Sequence, residues 1–386
     1  MKILVAITYY RPHMSGLTIY AIRLANALAS RGHKVTILTS RFSKDLPASE
    51  DNNGITIVRA PVMLRISKGV IMPRFGRIAG RLIKEHDVIH LHLPQFDAIR
   101  VAFRGWLQRK PVLMTYHCDL HMPKGFINWI VNQVVIVMNN LAALFTDRIV
   151  AYTQDYANHS PLLSRFSKKL EVINPPVDLP DVTQAQIRAY GRKYNPDDVH
   201  PIIGMAARFA TEKGVEVLLN ALDKILNSYP RAQVWFAGPY ENIMGEQKYY
   251  ARLKPLLDYY QSHEKWKFIG LLSPRQMALF YPNLDILTIP SLNSTEAFGL
   301  IQIEAMMNGV PSIASNLPGV RQPVLRHHMG KVIPIGDANA LADAVNQIMQ
   351  NQEKYSSGWE NIARQYAPGT IAKRYETLFQ GMIKRK

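Results

Sequence analysis

The sequence predicts an α/β protein of two doubly wound, Rossmann-like domains. Three observations carry that expectation. Apolar, β-branched runs of strand length alternate with segments of helical period along most of the chain. The alternation breaks at Asn174-Pro175-Pro176 and restarts at Ile202. The chain has 386 residues, long for one core and sufficient for two. The expected divisions are 1–178, 179–367 and a terminal helical segment over 368–386, with a linker near 174–185.

Lys2 to Thr8 reads as the first strand, because the apolar start is too brief for a signal sequence and runs straight into Thr8-Tyr9-Tyr10-Arg11. A loop to Gly16 follows, then a helix in which Leu17, Tyr20, Ala21, Leu24 and Leu28 recur at helical spacing. Arg31-Gly32-His33 ends it before a strand from Lys34 to Thr39. This β-loop-α-β opening lacks G-x-G-x-x-G, which argues against a nicotinamide or flavin dinucleotide site. Gly16 still permits close backbone approach to a ligand. Further strands are expected at 55–59, 88–92, 112–116 and 147–153, with 170–178 closing the first half. His117 falls just beyond a strand's carboxyl end, where open α/β sheets bind ligands. His90, His92 and His121 lie nearby at strand spacing without a matching carboxylate or cysteine set, so no metal site is expected.

The longest apolar stretch, Phe126 to Phe145, contains no charged residue. Asn128, Asn132 and Asn139 share one helical face, so a core helix with a polar stripe is expected, a helix against a bilayer being the alternative.

The second half opens with a strand at 202–206 and a loop to Gly214, followed by a helix at 215–227. Arg208 and Lys213 stand on that loop, at a strand end and before a helix, where two cations can converge on one diphosphate. Strands at 233–238, 266–270 and 284–289 follow, then a polar loop, a helix from about 298 to 307, a stop at Gly309 and a strand at 310–314. Helices at 338–350 and 368–386 complete the chain. Glu296 lies in the loop above the strand end and Glu304 eight residues on, inside the helix. A helix start there offers N–H groups to an anion, and two carboxylates can orient hydroxyl groups. That combination suits a sugar nucleotide.

The stretch Glu296-Ala297-Phe298-Gly299-Leu300, with Glu304-Ala305-Met306, Gly309, Pro311 and Ser315, closely resembles the E-x7-E signature of the retaining glycosyltransferases of family 4. Arg208 to Gly214 is similar to the same family's G-R-x4-K-G pattern, with Ala207 in place of its first glycine. Ser15-Gly16 stands where the family has Gly-Gly, and Pro175-Pro176 replaces the turn glycine of its Pro-Asn-Gly-Val-Asp segment. The resemblance implies the GT-B architecture, two Rossmann-like domains facing each other across a cleft, with the last helix crossing back onto the first domain. It further implies that Arg208 and Lys213 neutralise the donor diphosphate, aided by N–H groups around Phe298, Gly299 and Leu300. By the same resemblance Glu304 holds the ribose, Glu296 orients the sugar, and main chain at Ile269, Gly270 and Leu271 reads the base. His117 corresponds to a cleft histidine that approaches the sugar or acceptor, and Gly16 to a donor-phosphate loop. The implied reaction is metal-independent transfer with retention, using a nucleotide sugar as substrate and no cofactor. The acceptor would be a glycan, a lipid or a small molecule.

Cys118 is the single cysteine, which excludes an intrachain disulfide and suits a reducing cytosol. The net charge of +17 is lopsided: residues 1–180 hold 23 Lys and Arg against 11 Asp and Glu, a net of +12. No acidic residue separates Asp51 from Glu85, while Arg59, Arg65, Lys68, Arg74, Arg77, Arg81 and Lys84 are interleaved with apolar residues. This basic stretch, 59–84, suits an anionic membrane surface and a peripheral cytoplasmic location. A sugar-nucleotide epimerase or a phosphorylase would share the fold. A nucleic-acid-binding protein would share the charge, but no nucleic-acid motif accompanies it and nucleic acid is not an expected partner.

Overall fold

The computed structural model describes residues 1–66, 69–120, 125–356 and 358–386. It divides into two compact units, Met1–Pro176 with Gln365–Lys386, and Val177–Arg364.

Ten strands belong to the first unit: β1 (Lys2–Ala6), β2 (Lys34–Arg41), β3 (Ser49–Asn52), β4 (Ile55–Pro61), β5 (Leu64–Ile66), β6 (Gly69–Ile71), β7 (Val88–Leu93), β8 (Val112–Tyr116), β9 (Arg148–Ala151) and β10 (Leu170–Val172). Eight of them form one sheet in the order β10-β9-β8-β7-β1-β2-β4-β3, while β5 and β6 pair as a separate hairpin. Pairing in the large sheet is parallel except at β3, which runs antiparallel to β4. Strands β7 and β8 are buried at every position, as parallel strands covered on both faces must be. The short polar edge strand β3, Ser-Glu-Asp-Asn, discourages pairing with another chain.

Helix α1 (Gly16–Ser30) starts at Ser15, whose hydroxyl accepts the Thr18 N–H at 3.2 Å. Helices α2 (Phe75–Glu85), α3 (Ala98–Leu107) and α4 (Phe126–Leu144) lie side by side, with α3 packed between the other two. Glycine lets α3 approach the sheet closely, since a Cβ on Gly105 would stand 2.5 Å from a Val112 methyl and 2.8 Å from Ile89. The C-terminal helix Pro368–Ile383 packs on α1, and its Tyr375 hydroxyl bonds to Thr115 Oγ1 at 3.0 Å.

Two expectations are corrected here. Helix α4 is not a core helix: among its described side chains Asn139, Ala142 and Ala143 are the buried ones, and the apolar ones lie largely exposed. The basic stretch 59–84 is not one surface either. Arg59 is buried, with its guanidinium 2.6 Å from Glu50 and donating to the Pro47 carbonyl. Arg65 lies on the β5–β6 hairpin, and Arg74, Arg77, Arg81 and Lys84 are exposed on and beside α2. Lys68 and His121 lie outside the described residues.

The second unit carries β11 (Ile202–Ala206), β12 (Gln233–Ala237), β13 (Trp266–Gly270), β14 (Ile286–Ile289), β15 (Ser312–Ser315) and β16 (Gly330–Ile333). All are parallel, in the order β13-β12-β11-β14-β15-β16. Helices Val215–Ser228 and Ala338–Met349 pack together over one face, burying Leu218, Leu222, Leu341 and Val345 against Ile203, Ile286 and Ile313. The chain runs outward from β11 to β13, then returns to β14 on the other side of β11. The loops leaving β11 and β14 therefore diverge at a topological switch point, where a crevice opens outside the strand ends.

Candidate active site

Arg208 and Lys213 lie on the loop leaving β11, and Glu296 on the loop leaving β14. The two loops are in direct contact. Gly214 adopts φ 69°, and a Cβ there would fall 2.0 Å from the Pro290 carbonyl oxygen, so only glycine lets them meet. Leu292 N–H donates to the Glu212 carbonyl at 2.9 Å, a second tie between them. From farther along the chain, the Glu246 carboxylate accepts both the N–H and the hydroxyl of Thr211, at 3.0 and 2.7 Å. The loop that carries the cations is thus held at its middle and at its helix end.

Each cation rests on a carboxylate. Lys213 Nζ lies 2.6 Å from Glu296 Oε2, while Glu296 Oε1 accepts the Gly299 N–H at 3.0 Å. Arg208 Nη2 lies 2.6 Å from Glu212 Oε1. Gly299 at φ 78° cannot continue a helix, which is why the helix expected from about residue 298 spans Leu300–Met306. Glu304, 7% exposed, accepts the Tyr281 hydroxyl at 2.6 Å, which fixes its carboxylate. The arrangement brings a lysine, an arginine, a bridging carboxylate and the buried turn at Gly299 to one sheet end. It can take an anion by exchange with Glu212 and Glu296, leaving those carboxylates to accept hydroxyl protons.

Other expected residues stand apart from this cluster. Ile269 and Gly270 end β13, with Gly270 at φ 86°, and Leu271 beyond them is strongly exposed. Gly16 and His117 belong to the first unit. No protein atom comes within 4 Å of a Cβ built on Gly16, so packing does not require glycine there. His117 is only 5% exposed, and both its ring nitrogens are engaged: Nδ1 with the Tyr152 hydroxyl, Nε2 with His92 Nδ1 at 2.8 Å. His90 Nε2 bonds Thr115 Oγ1 at 2.8 Å beside them. Burial holds all three imidazoles below their ordinary value, His92 down to about 3, so all are neutral at pH 7. Among the described residues no group of His, Cys, Asp or Glu has the makings of a metal site.

Glu212, Glu246 and Tyr281 were not anticipated. Glu212 follows Arg208 by four residues, a spacing from which the pair could be read. Glu246 and Tyr281 are brought in from separate elements, and nothing local in the sequence marks them.

Two family models together account for most of the chain: Glycosyltransferase Family 4 over residues 14–180, and Glycosyl transferases group 1 over residues 186–366. The chain belongs to the group 1/family 4 glycosyltransferases. A curated relative, the phosphatidyl-myo-inositol mannosyltransferase of Mycobacterium leprae, is 22% identical, covering 94% of this chain and 93% of its own. Among solved structures, sucrose-phosphate synthase of Thermosynechococcus elongatus superposes with TM-score 0.77 at 21% identity, each chain fully covered. HepE of Anabaena, solved in complex with UDP, gives TM-score 0.75 at 19% identity, covering 99% of this chain and all of its own. This glycosyltransferase has the GT-B fold of two Rossmann-like domains. Its two family models meet between residues 180 and 186, and the switch-point cluster falls within the group 1 segment.

Proposed function

We propose that this glycosyltransferase moves a sugar from a nucleoside-diphosphate sugar to a hydroxyl acceptor, with retention of anomeric configuration and without a metal ion. The observation that carries the reading is the pairing of Arg208 and Lys213 with carboxylates at the switch point of the second unit. The donor's diphosphate exchanges for Glu212 and Glu296 on the two cations. Glu296 then accepts hydroxyl groups of the sugar, and Glu304, oriented by Tyr281, those of the ribose. Main chain at Phe298, Gly299 and Leu300 faces the phosphates, and main chain at Ile269, Gly270 and Leu271 the base. By the family resemblance, Gly16 and His117 of the first unit are read as donor- and acceptor-contacting residues. For His117 to meet the sugar, its ring has to give up Tyr152 or His92.

In the transfer step the bond between the anomeric carbon and the diphosphate oxygen breaks, and its electron pair leaves with the nucleoside diphosphate. The acceptor oxygen bonds to the same face of that carbon and gives its proton to the leaving phosphate. Negative charge grows on the diphosphate as positive charge grows on the sugar. Preorganised cations at the leaving group stabilise that separation more than they stabilise the ground state. Glu296 acts as an orienting group in this scheme.

The acceptor is a glycan, a lipid or a small molecule. The mycobacterial relative's name gives it a phosphatidylinositol acceptor, which supports a lipid-linked one here. The exposed cations Arg74, Arg77, Arg81 and Lys84 fit an anionic membrane on the cytoplasmic side. Membership of the family speaks against the epimerase alternative.

Proton NMR of the product provides the test. The new linkage should keep the donor's anomeric configuration, and transfer should continue in excess EDTA. An inverted product, or activity abolished by EDTA and restored by a divalent cation, would contradict the scheme.

A further inference from the structure

Helix α4 is amphipathic in the reverse sense. Its Asn139 is 2% exposed and accepts the Gln95 N–H, while Phe126 is 76% exposed and Trp129 60%. Ile130, Val134, Val137, Leu141 and Leu144 continue that exposed side along the helix. Water does not select such a face. A contiguous apolar patch of this extent marks a surface that meets another apolar medium.

The patch continues onto α3. Trp106 and Leu107 are 52% and 64% exposed, and the rings of Phe103, Trp106 and Phe145 cluster at centroid distances of 5.2 to 5.8 Å. Aromatic rings therefore stand at both ends of α4, with aliphatic side chains between them. On the far side of α3, helix α2 exposes Arg77, Arg81 and Lys84. On α2 the one carboxylate is Glu85, exposed beside Lys84. From residue 98 to 146 the one Asp or Glu is Asp119, whose carboxylate is taken by the hydroxyls of Tyr116, Tyr156 and Ser160.

We propose that the α3–α4 face is a membrane-docking surface that lies in the plane of an anionic bilayer, its apolar side chains among the acyl chains and the α2 cations against lipid headgroups. Charge complementarity decides the occupant. A protein partner or a second copy would fill the apolar face, but neither explains why the flanking helix exposes Arg77, Arg81 and Lys84 against a single carboxylate, Glu85. No described helix is long and apolar enough to cross a membrane, and α4, at 19 residues, is suited to lying along one. Interfacial helices bury an apolar face at headgroup level, where aromatic rings anchor them. The inference rests on the proposal of a lipid-linked acceptor only for its purpose. Its test reads binding alone, so either can fail without the other.

The test is co-sedimentation of the full chain with phosphatidylcholine vesicles carrying ~30% phosphatidylglycerol, and with phosphatidylcholine alone. Wild type should sediment with the anionic vesicles, at least tenfold more strongly than with the neutral ones. Ile130→Glu with Val137→Glu, both at exposed positions, should abolish sedimentation on either vesicle while leaving the melting temperature unchanged. Alanine at Arg77, Arg81 and Lys84 should remove only the part of binding that salt also removes. Three results would overturn the proposal: wild type left in the supernatant, α4 variants that bind like wild type, or a dimer seen by light scattering that Val137→Glu dissolves.

Discussion

Alanine at Lys213 or at Arg208 is expected to cut turnover by roughly 10² to 10³, the usual effect of removing one preorganised group that stabilises a developing anion. Both side chains stand on a loop anchored by Glu246 and by the contact of Gly214 with Pro290. Removing either cation therefore leaves the loop in place and removes charge from the leaving group. The lost charge acts mainly on the leaving group as its bond breaks, so kcat is expected to fall further than KM rises. Stability should change by about 1 kcal/mol or less for Arg208→Ala, whose side chain is 41% exposed, and by more for Lys213→Ala, whose ion pair is largely buried. Steady-state kinetics with a melting curve for each variant checks this. Near-wild-type rates in both variants would remove the cations from the chemistry.

Acid is expected to destabilise the first unit steeply. Burial holds His90, His92 and His117 below the ordinary histidine value, and for His92 the folded value is about 3. Above pH ~6.5 these rings are neutral in the folded and the unfolded chain alike, so they add no pH dependence. Below it the unfolded chain binds protons that the folded cluster refuses. Stability then falls with falling pH by up to ~1.4 kcal/mol per unit for each ring, and by about 4 for three, until the folded cluster itself takes up protons. Hydrogen exchange of amides in β7 and β8 at pH 7.5, 6 and 5, corrected for intrinsic rates, reports the opening free energy of this region. Protection that stays constant across the range would contradict the burial of the three rings.

The two-domain plan was legible because it rests on local pattern. Strands such as β7, β11 and β14 are short apolar runs, and Pro175-Pro176 breaks the chain next to the division at Pro176. The cluster was legible in part for the same reason, since Arg208, Lys213 and Glu296 lie on strand-to-helix loops whose sequence carries a family signature. What joins them was not. Thr211 meets Glu246 across 35 residues and Tyr281 meets Glu304 across 23, distances at which spacing says nothing about contact. Strand β3 escaped notice because Ser-Glu-Asp-Asn has no β-favouring residue, and with it went the pairing of Arg59 and Glu50. Helix α4 failed for a different reason. Its pattern reveals an apolar face, but whether that face meets a core or a bilayer depends on which side the sheet lies.

Calorimetric titration of UDP, GDP and ADP into the metal-free protein tests the central claim most directly. At least one nucleoside diphosphate should bind wild type, with affinity reduced tenfold or more by Arg208→Ala combined with Lys213→Ala, each tenfold being about 1.4 kcal/mol. Binding by none of the three, or equal binding by wild type and the double variant, would contradict a diphosphate grip built on these two residues.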